Sequence, residues 1–201
     1  MKNLIFLILV IATLSCKAQS PIISMVDYEN NDDLELTDGC YLKDVENKFQ
    51  PFVGTWEWTD GSSTFTIVIE KLELVFKPHS NIYSDYLIGK YKYVENGVEI
   101  VNTLNDVVNA SNMWNGATVS MWNAGYDSDT VSRFSLKDFG KQKRGNAKFV
   151  LTEYLTDIGD GSIFATKAQW TLKDIEKSPL TASDPSTAGF SMPTNVELTK
   201  Q

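Results

Sequence analysis

From Pro51 onward the chain alternates apolar and polar residues with a period of two, and this leaves few folds open to it. Phe52, Gly54, Trp56 and Trp58 share one side of a first strand, with Val53, Thr55 and Glu57 on the other. Thr59-Asp60-Gly61-Ser62-Ser63 is a turn. Thr64 to Phe76 carries the strongest strand pattern, with Phe65, Ile67 and Ile69 on one face. Leu72, Leu74 and Phe76 share a face of the opposite parity. One strand keeps both sets inward only with an extra residue, so a β-bulge or sharp bend is expected near Glu70-Lys71.

The alternation resumes over Tyr86 to Glu95, with Leu87, Gly89, Tyr91 and Tyr93 on one face. Asn96-Gly97 and then Val98 to Val101 follow. Asn-Gly between two strand patterns marks a hairpin, because a type I′ turn needs positive φ at both central residues. Asn recurs at 102, 105, 109, 112 and 115, a helical spacing, but Asn favours caps and turns over helix interiors. The stretch from Asn102 to Gly116 is therefore read as a long loop with at most a short helical turn. Further strands are expected over Thr118 to Trp122, Arg133 to Lys137, Ala147 to Leu151, Phe164 to Leu172 and Val196 to Leu198. Phe164, Thr166, Ala168, Trp170 and Leu172 form the longest inward face. Residues 176–192 read as irregular. The sum is an all-β domain of eight or nine antiparallel strands with no helix long enough to cover a sheet face. Such a chain closes into a barrel, the expectation here, or folds as a β-sandwich, the alternative.

The N-terminal stretch reads as an address. Met1-Lys2-Asn3 is a short positive segment, and Leu4 to Leu14 is apolar apart from Thr13, too short to span a bilayer. Ser15-Cys16 follows directly. A small residue before a cysteine at this place resembles the lipobox of bacterial lipoproteins, although Thr13 stands where that family prefers Leu. The resemblance implies cleavage after Ser15 and acyl chains, palmitate among them, on Cys16. Two or three chains anchor a protein stably where one does not. Lys17, rather than Asp, after the cysteine favours the outer membrane. Cys16-Lys17-Ala18-Gln19 is similar to the start of many small lipoproteins of the Bacteroidetes phylum, for which no function is implied.

Residues 1–15 are thus the expected signal peptide, 16–48 a tether that partly packs, and 49–201 one barrel domain. Residues 17–48 hold eight Asp and Glu against three Lys. A flexible tether of about 30 residues has an r.m.s. reach of roughly 30 Å. Leu34, Leu36, Tyr41 and Leu42 are the residues expected to pack on the domain. The formal net charge of −8 argues against nucleic acid and anionic lipid as partners. With Cys16 acylated, Cys40 has no partner in the chain and reads as a small buried apolar residue.

Chemistry is sparsely marked. His79 is the only histidine and lies in a loop after Pro78, so no nucleophile–base pair is evident. Zinc needs several Cys or His ligands, and no phosphate-binding glycine loop precedes a helix. Asp127 with Asp129, and Asp157 with Asp160, sit in turns, which favour Asp for backbone reasons. No enzyme activity, metal or cofactor is expected. The five Trp, eight Tyr and ten Phe are more suggestive. Trp114 and Trp122 are contact candidates for a small ligand or glycan, and a cavity lined by Tyr91, Tyr93, Phe134 and Trp170 would favour an apolar one.

Gly54-Thr55-Trp56, opening the first strand after Phe49 and Phe52, resembles the start of lipocalin-like (calycin) barrels. That resemblance implies a barrel with Gly54 and Trp56 plugging its closed end and a small, usually apolar ligand at the open end. The family's later Thr-Asp-Tyr motif and C-terminal helix are not evident here. Two readings follow. One is a lipid-anchored, non-enzymatic envelope protein that binds a small apolar ligand or a glycan. The other is a structural or interaction lipoprotein with a filled barrel that contacts another envelope protein, with Asn102 to Asn115 as the candidate surface.

Overall fold

The computed structural model describes residues 20–114, 119–123, 125–179 and 189–201, with side chains left aside at 174–179. Among the described residues eleven strands form: β1 (Ile22–Ser24), β2 (Tyr41–Lys43), β3 (Gly54–Asp60), β4 (Ser63–Lys77), β5 (Ile82–Glu95), β6 (Val98–Asn102), β7 (Met121–Asn123), β8 (Val131–Asp138), β9 (Lys143–Thr156), β10 (Ile163–Pro179) and β11 (Asn195–Lys200). The single helix among the described residues, α1 (Met25–Glu29), is capped by Ser24, whose hydroxyl accepts from the N–H groups of Val26 and Asp27.

Eight of the strands close into an antiparallel barrel in the order β5-β4-β3-β11-β10-β9-β8-β7, with β7 pairing back onto β5. The order follows the chain, so the barrel is an up-and-down meander with no free edge around its waist. The other edge of β5 is shared by three partners. Tyr83 and Ser84 pair with β2, Ile88 and Gly89 with β7, and Lys92 to Glu95 with β6. At the β7 contact a Cβ on Gly89 would lie 1.9 Å from Met121 Cε and 3.2 Å from its Cβ, so a larger residue here would force the Met121 side chain to shift. The Asn-Gly hairpin forms as expected, with φ of 50° at Asn96 and 81° at Gly97.

The core lies inside the barrel. Phe65, Ile67 and Ile69 of β4, Leu87 and Tyr91 of β5, Phe134 and Leu136 of β8, Phe149 of β9, and Ala168 and Trp170 of β10 are all fully buried or nearly so. Their alternation is the period-two pattern of the sequence. The bulge in β4, however, falls between Leu72 and Val75, three residues later than expected, with Leu74 at φ 56°. Leu74 and Phe76 are exposed, and Val75 is the buried residue. Val75 belongs to a second, smaller cluster with Tyr86, Ile88, Val108, Met113 and Val119. Tyr86 and Ile88 have the opposite parity to Leu87 and Tyr91, so this cluster lies on the outer wall. The loop carrying Val108 and Met113 covers it, as the long loop read from the asparagines. Asn109 accepts from the backbone N–H of Ser111 and Asn112, a turn role rather than a helix role.

β10 also departs from its expected face. Ala168, Trp170 and Leu172 are buried, but Phe164 is exposed and Ala165 is buried in its place. The pairing with β9 is irregular on both sides of Lys167, and there the inward parity changes. β10 runs on to Pro179, past the expected end of the strand. β11 is the last strand, as read, and forms the seam with β3 through Thr199–Glu57 and Lys200–Trp56.

Candidate functional site

The barrel interior was the expected ligand site, and side chains occupy it. Trp56 stacks edge-on against Phe149 at 5.0 Å between centroids, and Phe65 lies 5.7 Å from Trp170. Tyr91 is buried and donates its hydroxyl to the Lys137 carbonyl at 2.6 Å, and burial raises its pKa. Tyr93 and Phe134 belong to the same continuous cluster. Trp114 and Trp122 do not join them. Trp122 packs on the outer-wall cluster, and Trp114 meets Tyr86 edge-on while its indole N–H donates to the Phe76 carbonyl. Tyr91, Tyr93, Phe134 and Trp170 therefore lie inside the wall, and Trp114 and Trp122 outside it. A shallow cleft of ≈ 450 Å³ lies elsewhere, beside β1 and α1, lined by Ile22, Ser24, Asp27, Asn30 and Leu34.

One end of the barrel is closed by the segment that leads into β3. Phe49 and Phe52 enter the core, and the Trp56 indole N–H donates to the Phe52 carbonyl at 2.8 Å. Gly54 has φ 132°, a region closed to other residues, and a Cβ there would lie 2.9 Å from Lys200 Cε. The Lys200 ammonium sits 5.1 Å over the Trp56 ring and donates to the Pro51 carbonyl at 3.1 Å. Burial lowers the Lys200 pKa.

Beside this plug lies a cluster that the sequence reading missed. Asp44 and Asp85 are buried, and Lys71 reaches Asp44 at 3.0 Å and Asp85 at 3.6 Å. Asp85 also accepts from the Tyr41 hydroxyl and from the N–H groups of Asp44 and Leu74. Asp44 in turn accepts from the N–H of Lys48 at 2.7 Å and of Phe49 at 3.2 Å. Burial works against the Lys71 charge, yet Asp44, Asp85 and Glu73 together raise its pKa. Burial and the Asp85 carboxylate raise that of Tyr41. The group fastens residues 41–49 to β4 and β5. The usable signal was parity: Lys71 keeps the inward parity of Phe65, Ile67 and Ile69.

The opposite end is covered by residues 189–192. Met192 is buried and Phe190 packs on the core. Buried Asp138 holds this segment, accepting from the Ser191 N–H at 2.7 Å and from the Ser191 hydroxyl. Asp138 also accepts from the N–H groups of Gly140 and Lys141.

Residues 22–43, placed with the tether in the sequence reading, contribute β1, α1 and β2 and send Met25 into the core. Cys40 is buried and free. Cys16 lies outside the described residues. His79 is exposed in the β4–β5 turn. Among the described residues no group of His, Cys, Asp and Glu is arranged to hold a metal ion. Asp129 pairs with Lys48 at 2.9 Å and accepts from the Tyr126 hydroxyl, while Asp157 and Asp160 each accept a backbone N–H within their own turn.

No curated protein and no solved structure matches the chain. The closed eight-stranded barrel falls within the eight or nine strands expected from the alternation, while a relationship to lipocalins is not among the matches. One family profile does match, from residue 1 to residue 201. The chain belongs to that family, the family of unknown function DUF6705.

Proposed function

We propose that this chain is a lipid-anchored, non-enzymatic protein of the bacterial envelope that works through its outer surface, with the barrel as a rigid post. The observation that carries this reading is the filling of the barrel by Trp56, Phe65, Tyr91, Phe134, Phe149 and Trp170. An apolar ligand inside would have to displace several of these rings, and cores packed like this do not yield volume cheaply. The Ser15-Cys16 junction supports the anchor, and the negative charge speaks against nucleic acid. The loop over residues 103–114 is the surface for an envelope protein, because it stands on the outer wall and exposes Asn105, Val107 and Asn109.

Native mass spectrometry of the protein purified from cells is expected to give the acylated chain with no co-purified ligand. Photo-crosslinkers at Asn105 and Asn109 in intact cells are expected to capture an envelope protein. A stoichiometric small molecule in the native spectrum would overturn the filled-barrel reading. Capture of lipid alone from the loop would overturn its role as a protein surface.

A further inference from the structure

We infer that the β9–β10 hairpin is a bilayer-contacting prong, whose Leu155, Ile158 and Phe164 seat among neutral headgroups beside the anchor. This rests on the lipid-anchored reading above and adds a second, non-covalent point of contact. Burial is the first observation. Leu155 is 75% exposed, Ile158 103% and Phe164 62%, in a chain that buries most of its large apolar residues. Leu155 pairs directly with Phe164 across the hairpin, so both side chains share one face. Tyr154, 43% exposed, adds an amphipathic ring of the kind that favours the membrane interface.

Direction is the second observation. β9 ends and β10 begins at the barrel end where β3 begins, given the antiparallel order of β3, β11, β10 and β9. β2 runs parallel to β5, and β1 parallel to β2, so Ile22 enters at that same end. The hairpin and the incoming chain therefore point the same way. Exposed Val45, Leu74 and Phe76 lie on this end as well.

Reach is the third. Ile22 is already docked on β2 through its pairing with Tyr41. From Cys16 to Ile22 the chain spans no more than about 20 Å even when fully extended. An acylated Cys16 thus holds this end of the barrel, and no other, against the bilayer. A tether of the length read from the sequence would have left the orientation free.

Charge chooses the lipid. Asp157 and Asp160 flank Ile158, and each carboxylate is occupied by a backbone N–H of the turn. Glu153 is paired with Lys167 at 3.2 Å. The tip carries no cation to draw it to anionic lipid, and its apolar groups are of a size to reach the headgroup–acyl boundary, about 5–10 Å deep.

The test uses the acylated protein in vesicles of phosphatidylethanolamine and phosphatidylcholine. A polarity-sensitive fluorophore is placed at Ile158→Cys, with Val98→Cys at the other end as control; Cys40 is buried and does not compete. The Ile158 probe is expected to shift to the blue, to be quenched by a lipid-borne quencher, and to lose several-fold of its sensitivity to aqueous iodide. The Val98 probe is expected to stay aqueous. Equal iodide sensitivity at the two sites overturns the inference, as does lipid quenching at both. The mass of the mature N-terminus is read on the same sample. An acylated Cys16 with an aqueous Ile158 probe sinks the prong alone, whereas an unmodified Cys16 sinks the anchored reading with it.

Discussion

The two ends of this barrel are both stoppered by a segment of chain, and both stoppers are held by buried carboxylate, but the chemistry differs. At the β3 end two aspartates and a lysine share a buried site, and the stopper is continuous with the first barrel strand. At the far end, in the contacts among the described residues, a single aspartate accepts from neutral N–H and O–H groups. A buried ion pair adds little net stability when intact, but breaking one side leaves an unpaired charge. The ionic end is thus the more brittle, and the neutral end the more tolerant.

The largest expected effect follows from this. Lys71→Ala leaves the buried Asp44 and Asp85 carboxylates without their shared cation, and is expected to cost about 3–5 kcal/mol in urea unfolding. Asp138→Ala leaves neutral donors without an acceptor and is expected to cost about 2–3 kcal/mol, with faster hydrogen exchange at 189–192. Equal losses for the two variants would break the comparison. Alkaline pH sharpens it. The folded-state pKa values of Lys71 and Tyr41 are raised, so their contribution is complete below the unfolded values and is lost as pH climbs past about 10 to 10.5. Hydrogen exchange at 44–53 is expected to accelerate there before exchange at 189–192. Next in size, Lys200→Ala uncovers the Trp56 ring and is expected to cost about 1 kcal/mol, with a red shift in tryptophan emission. Smallest of all, Ile158→Ser touches neither stopper and is expected to change stability by less than about 0.5 kcal/mol.

What was legible in the sequence was what period two can encode. The parity of Phe65, Ile67 and Ile69, the Asn96-Gly97 turn, the long loop after Asn102 and the all-β class are all local patterns that the structure repeats. Failures came where hydrophobicity and burial parted. Leu74 and Phe76 read as inward residues but are exposed, while charged Lys71 lies inside, so the bulge was placed too early. Phe164 reads as core by parity, but a register irregularity turns the strand between it and Ala168. The segment before Phe49 reads as a tether packing through Leu34, Leu36, Tyr41 and Leu42, but it also docks through parallel pairing and a buried Asp44, neither of which leaves a periodic trace. The candidate contact residues are all aromatic, and aromatics are also what small barrels use as filling. Nothing in their types separates Tyr91 inside the wall from Trp122 outside it.

The seam between β3 and β11 has a kinetic consequence. It joins Trp56 to Lys200, so the cylinder cannot close until nearly the whole barrel sequence is in place. Contacts of such long sequence separation are slow to form, because loop entropy opposes them until the last pairing is made. Until then β3 and β11 each present an open edge. At high protein concentration those edges are where a partly assembled molecule would pair with a neighbour, and the rate of sealing sets how long it stays vulnerable.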